Sequence, residues 1–154
     1  MTRRTLYYHF ASKEILVGLY LERRDGMGRA MLERSAFGAT TPAQKILAVF
    51  AKLEPWFLSR GFHGCALGNA VAESETIVIA GPITKRHKIA LADWFVRTCA
   101  SGTCADPVEL GEALMLVFDG ALTSATTRRD PAVARRATRV AALLMRAHGF
   151  DISP

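Results

Sequence analysis

Apolar residues recur at three- and four-residue intervals along most of this chain, the spacing of one face of an α-helix. Between Ser12 and Arg34 they fall at Ile15, Leu16, Leu19, Tyr20, Met27, Ala30 and Met31. That stripe predicts one long helix, weakened by about 1 kcal/mol at each of Gly18, Gly26 and Gly28, with a bend near Gly26 to Gly28. Ser35 to Thr40 reads as a short linker. Ile46, Leu47, Val49, Phe50, Leu53 and Phe57 then mark a helix from Pro42. Pro55 interrupts it, because proline removes an intrahelical hydrogen bond and crowds the preceding turn. Ile83, Ala90, Leu91, Trp94 and Phe95 mark a helix from Pro82 to about Ser101, with Lys85, Arg86, Lys88 and Arg97 largely outside. Two further stripes predict helices from Pro107 to Thr127 and from Pro131 to about His148, the last stopped by Gly149.

The helix starts carry their own chemistry. Thr41-Pro42-Ala43-Gln44 is a capping box with proline at the first helical position. Asp106-Pro107-Val108-Glu109 repeats that logic, Asp130-Pro131 does so again, and Gly81-Pro82 is a weaker version. One stretch competes with the helical pattern. Thr76-Ile77-Val78-Ile79 is a β-branched run that reads as a strand in isolation. No partner strand is visible elsewhere, so the run is read as helix continuation or a buried extended connection. The fold class is all-α.

A length of 154 residues suits one domain, or one domain plus a remnant. Half the residues are hydrophobic, enough for a proper core. No apolar stretch approaches the roughly 18 residues of a membrane span, and the N-terminus lacks the apolar region and cleavage site of a signal peptide. Three cysteines, Cys65, Cys99 and Cys104, are too few for a disulfide scaffold and suit a reducing cytoplasm. The net charge of +6 permits a nucleic-acid partner. However, Arg128, Arg129, Arg135, Arg136, Arg139 and Arg146 gather near the C-terminal end, so charge alone adds little.

The informative stretch lies at the other end. Thr2 can cap a short helix, with Leu6 and Phe10 on one face and Arg3, Tyr7 and His9 on the opposite side. Ser12 opens the next helix, with Lys13 at its first position. The run Thr5-Leu6-Tyr7-Tyr8-His9-Phe10-Ala11-Ser12-Lys13-Glu14 resembles the Thr-Leu-Tyr-x-His-Phe-x-Ser-Lys-Glu pattern that closes the recognition helix of the TetR family of transcriptional regulators. The resemblance implies a TetR-like helical bundle regulatory domain preceded by a remnant recognition helix. Residues 1–34 would be a partial helix-turn-helix with the start of the connecting helix, and residues 35–154 a ligand-binding and dimerisation domain. A looser similarity to the family's regulatory domains covers Arg60 to Ala70, where an aromatic residue, a Gly-Cys pair and an Asn-Ala pair open a short helix.

By that resemblance Arg3, Arg4, Thr5, Tyr7, Tyr8, His9 and Lys13 are the DNA-binding residues. Arg3 and Arg4 would read base edges, where arginine favours guanine. The others would hold phosphates, Lys13 with help from the helix N-terminus at Ser12. The plainer reading is a solvated first turn. The resemblance also implies a homodimer whose last two helices form a four-helix bundle with those of the mate.

Phe50, Trp56, Phe57, Phe62, Trp94 and Phe95 are candidates for a ligand pocket, since small-molecule sites are apolar with few polar groups. His63, Asn69, Glu73, His87 and Asp119 are the available polar handles. Ordinary helix packing competes for each aromatic residue. Cys65 near His63 lacks the third orienting group of a nucleophilic site and reads better as a buried cysteine at a helix start. Cys99 and Cys104 lack zinc-ligand spacing, and a redox-sensing thiol is the remaining alternative. Gly61, Gly64 and Gly68 serve a turn and close packing, because no phosphate-cradling motif is present. No metal, cofactor or enzymatic activity is therefore expected.

The whole points to a DNA-binding transcriptional regulator, a repressor, answering a small apolar effector. The alternative is a helical ligand-binding or dimerisation module that does not bind DNA. Because Thr2 falls where the family places the Ser of its turn, the first two helices of the DNA-binding domain are expected to be missing, as in a truncated form. Leaving Leu6, Phe10 and Ile15 without packing partners forgoes about 1.5–3 kcal/mol each. Specific DNA binding by the 154-residue chain is accordingly expected to be weak or absent. An electrophoretic shift on its own promoter, against an upstream-extended version, checks this; tight, specific binding by the shorter chain overturns it.

Overall fold

Ser12 opens the first described helix: its hydroxyl accepts the Ile15 N–H at 3.2 Å, satisfying one of the otherwise orphaned N-terminal donors. The computed structural model describes residues 12–73 and 77–152, and every regular element among them is an α-helix. Helix α1 (Lys13–Ala36) runs unbroken through Gly18, Gly26 and Gly28 and takes up Ser35 and Ala36, which shortens the expected linker to residues 37–40.

Thr41 starts α2 (Pro42–Ala51) with both arms of the capping box made: the Gln44 N–H donates to the Thr41 hydroxyl at 3.2 Å, and the Gln44 side-chain carbonyl accepts the Thr41 N–H at 3.3 Å. The chain breaks at Lys52 and resumes as α3 (Leu53–Phe57). Pro55 explains the position of the break. Its missing N–H would have bonded the Ala51 carbonyl, so the ladder is lost one turn upstream of the proline.

Helices α4 (Ala66–Ala72), α5 (Ile77–Ala100), α6 (Pro107–Arg128) and α7 (Val133–Ala147) complete the described chain. Asp106 caps α6 by accepting the Glu109 N–H at 3.0 Å. Asp130 accepts the Ala132 N–H at 2.9 Å in a turn that leads into α7. Pro82 departs from the expected pattern, because α5 begins at Ile77 and holds Pro82 in its interior. Ile77, Val78 and Ile79 of the β-branched run are helical, because packing outweighs their strand preference, while Thr76 lies outside the described residues. Ile79 packs against a cluster of Leu21, Leu67, Ala80 and Ile83, while Val78 stays 82% exposed. Solvent can therefore take the Val78 carbonyl that Pro82 leaves without a donor.

The main core draws Leu32 and Ala36 of α1 together with α2, α3, α5, α6 and α7. At its centre Phe50, Phe95 and Phe118 meet with ring centroids 6.0–6.2 Å apart. Burying each such side chain stabilises the fold by about 1.5–3 kcal/mol. The smaller cluster around Leu21 and Leu67 holds α4 between α1 and α5, and the Thr84 hydroxyl fastens α5 to α4 by donating to the Leu67 carbonyl at 3.1 Å.

Helices α5 and α6 approach closely at Gly111. A Cβ there would lie 2.5 Å from Val96 Cγ2 and 2.7 Å from the Val96 backbone, which cannot swing aside as a side-chain tip could. Gly111→Ala is expected to destabilise the protein by about 1–3 kcal/mol through overpacking, read as a lowered urea midpoint. An unchanged midpoint contradicts this account of the contact.

Candidate ligand-binding site

A cavity of about 210 Å³ lies between α1 and the rest of the bundle. Helix α1 contributes Arg24, Met27, Gly28, Met31 and Arg34 to its wall, a stripe at three- and four-residue spacing. Helix α5 adds His87, Lys88 and Leu91, α6 adds Phe118 and Leu122, and Trp56 closes one side. The last side is the segment Gly64 to Leu67 at the start of α4.

That segment is shaped by local constraints. Gly64 takes φ +79°, and a Cβ there would lie 2.6 Å from the Thr126 hydroxyl, so any side chain would be both strained and obstructed. Cys65 caps α4, its sulfur accepting the Gly68 N–H at 3.4 Å. The Asn69 side-chain amide donates to the His63 carbonyl at 2.8 Å. Cys65 thus serves as a helix cap on the cavity wall. Burial pushes the Cys99 thiol up to about 12, with a smaller contribution from Cys104; it stays protonated at neutral pH, which removes the thiolate that reactivity requires. Among the described residues no group of three or more His, Cys, Asp or Glu is placed to hold a metal ion, and no helix is long and apolar enough to cross a membrane.

One polar pair joins the two walls. His87 Nδ1 on α5 lies 2.9 Å from Asp25 Oδ1 on α1, with both side chains buried. Asp25 also receives the Arg29 guanidinium at 2.9 Å, and Arg86 stands 3.8 Å away. The pair fits because residue 28 is glycine: a Cβ there would lie 2.6 Å from His87 Cε1. Burial is the main influence on the His87 imidazole and, with Lys88 adding to it, lowers its pKa below the ordinary value despite the opposing pull of Asp25. The neutral ring therefore carries its proton on Nδ1 and donates it to the carboxylate. Nε2 makes no hydrogen bond among the described residues.

The structure distributes the candidate pocket aromatics over several places. Trp56 lines the cavity and packs with Phe57 and Phe62 in one aromatic group, centroids 4.6–6.1 Å apart. Phe50 and Phe95 lie in the core around Phe118, and Trp94 borders a separate polar groove with Arg97 and Ser101. Of the polar handles, His87 faces the cavity; His63, Asn69 and Glu73 border a neighbouring groove, and Asp119 pairs with Lys88. Lys13 is exposed at the first position of α1. Arg3, Arg4, Thr5, Tyr7, Tyr8 and His9 lie outside the described residues. Sequence reasoning passed over Arg24, Met31 and Arg34, because α1 read as a connector; their helical spacing was the available signal.

No family model and no curated protein sequence matches the chain significantly. Solved structures do. A TetR-family transcriptional regulator from Streptomyces coelicolor superposes with a TM-score of 0.86 at 27% identity, over 97% of this chain and 80% of that one. A second protein, from Streptomyces avermitilis and assigned to the same class of regulators, superposes with a TM-score of 0.79 at 25% identity, over 98% of this chain and 82% of that one.

The depressed His87 pKa sets a pH dependence. The folded protein keeps the ring neutral where the unfolded chain's imidazole, near 6.5, already takes a proton. Its contribution to stability is therefore complete above about 6.5 and is lost as pH falls from there to the lowered value. Thermal unfolding between pH 7.5 and 5 (a range set around the histidine reference of about 6.5) is expected to show this acid-side loss, and His87→Asn to flatten it. An identical slope in the variant refutes the assignment.

Proposed function

We propose that this chain, which has the all-α fold of the TetR-family transcriptional regulators, supplies the ligand-responsive and dimerising part of a DNA-binding transcriptional repressor. The observation that carries the reading is the superposition of 97% of this chain on such a regulator; in the sequence, the run ending at Ser12-Lys13-Glu14 stands at the start of α1. Helix α1 is then the connection between a groove-reading end and the cavity that its own side chains line. A ligand that fits one placement of α1 better than another would shift the population between placements. In a dimer, that shift would change the spacing of two recognition helices, which must match half-sites about one helical turn apart. Within this reading Arg3, Arg4, Thr5, Tyr7, Tyr8, His9 and Lys13 contact the operator.

The dimer would form through α6 and α7. Leu116 and Leu143 are 76% and 62% exposed there, and Val140 and Gly120 share that outer surface. Small and apolar residues on neighbouring helices suit close helix–helix packing between copies.

Immunoprecipitation of the upstream-extended version cross-linked to DNA in its own cells is expected to recover discrete, two-fold-symmetric sites. Leu143→Glu is expected to run as a monomer in light scattering and to lose that enrichment. Recovery of no enriched DNA by that extended protein rejects the regulator reading and leaves a ligand-binding module.

A further inference from the structure

The cavity wall has an uneven charge. Arg24, Arg34 and Lys88 contribute to it, and no carboxylate does. Lys88 is held by Asp119 on α6, which leaves the two arginines of α1. Neither forms an ion pair among the described residues, whereas Arg29, Arg86, Arg135 and Arg136 each hold a carboxylate. Arg34 is exposed and water can solvate it. Arg24 is half-buried as a residue, and a guanidinium beside an apolar wall and without an ion-pair partner favours an anionic ligand. His87, neutral and committed to Asp25 through Nδ1, supplies an acceptor on this wall and no negative charge.

The volume limits what such a partner can be. About 210 Å³ exceeds the roughly 150 Å³ in which an engineered apolar cavity holds benzene by little more than a small polar group. The remaining wall is apolar and adaptable. Met27 and Met31 are flexible and polarisable, while Leu91, Phe118 and Leu122 present a hydrocarbon surface from α5 and α6.

We infer that the cavity takes a small ring-bearing monocarboxylate, its ring among Met31, Leu91 and Phe118 and its carboxylate on the Arg24 guanidinium. The inference rests on reading this cavity as the effector site. It narrows the effector from any small apolar molecule to an amphipathic anion of about the size of benzoate. Because Arg24 sits one residue from Asp25 on α1, the anion would engage the same turn that His87 ties to α5.

Calorimetric titration of the full chain with benzoate, benzyl alcohol and benzylamine separates charge from shape. Benzoate is expected to bind about tenfold or more tightly than its neutral and cationic counterparts, the scale of one charged hydrogen-bonded contact. Arg24→Met, which keeps a long apolar stem, is expected to lose that preference while binding benzyl alcohol as before; an unchanged unfolding temperature shows that the variant folds. Equal affinity for benzyl alcohol or benzylamine, an unaltered benzoate affinity in Arg24→Met, or no binding of any probe overturns the inference. The DNA immunoprecipitation is an independent readout. Operator enrichment without benzoate binding would reject this ligand class and keep the regulator, whereas Arg24-dependent benzoate binding without enrichment would do the reverse.

Discussion

The Asp25–His87 pair is the constraint on which the placement of α1 depends. A buried carboxylate is tolerated only when its charge is answered, and Asp25 is answered from two directions: by Arg29 on its own helix and by the imidazole from α5. The imidazole can reach it only because Gly28 leaves room for the ring. A directional contact of this kind sets the register of α1 against α5 more narrowly than apolar packing, which tolerates sliding. The exposed Arg86–Glu22 bridge at 2.6 Å runs between the same two helices, but screening leaves a surface pair little weight.

Around that contact the molecule divides its labour. The aromatic centre of Phe50, Phe95 and Phe118 fills the bundle, with Leu32 and Ala36 of α1 packed into the same core and Phe118 reaching the cavity wall. The space between α1 and the bundle is incompletely filled, with methionines and a glycine on the α1 side and the Gly64–Cys65 turn opposite. Two surfaces of one helix thus have different roles. One is pinned by a hydrogen-bonded charge, and the other is left open where a ligand can compete with water.

Much of this was readable from residue order. The caps at Ser12, Thr41 and Asp106 operate where their side-chain oxygens predict, because capping is a contact between neighbours three residues apart. The same holds for the all-α class, which follows from apolar spacing. Pro82 failed as a start signal for the converse reason. Its local chemistry suits a first turn, but the hydrophobic cluster with Leu21 and Leu67, more than ten residues distant in sequence, drew Ile79 into helix ahead of it. The aromatic residues were equally ambiguous, since a phenylalanine on a core face and one on a cavity wall occupy the same helical positions.

Sequence by itself determined the helices, most of their boundaries and the resemblance carried by Thr5 to Glu14, all of which depend on interactions within a few residues. Tertiary structure decided which faces meet. It brought Asp25 to His87 across 62 residues, emptied the space beside Met31, and left Arg24 on its wall without a counter-charge. Those outcomes depend on close approaches at Gly28, Gly64 and Gly111, where the absence of a Cβ matters only once the opposing atom is known.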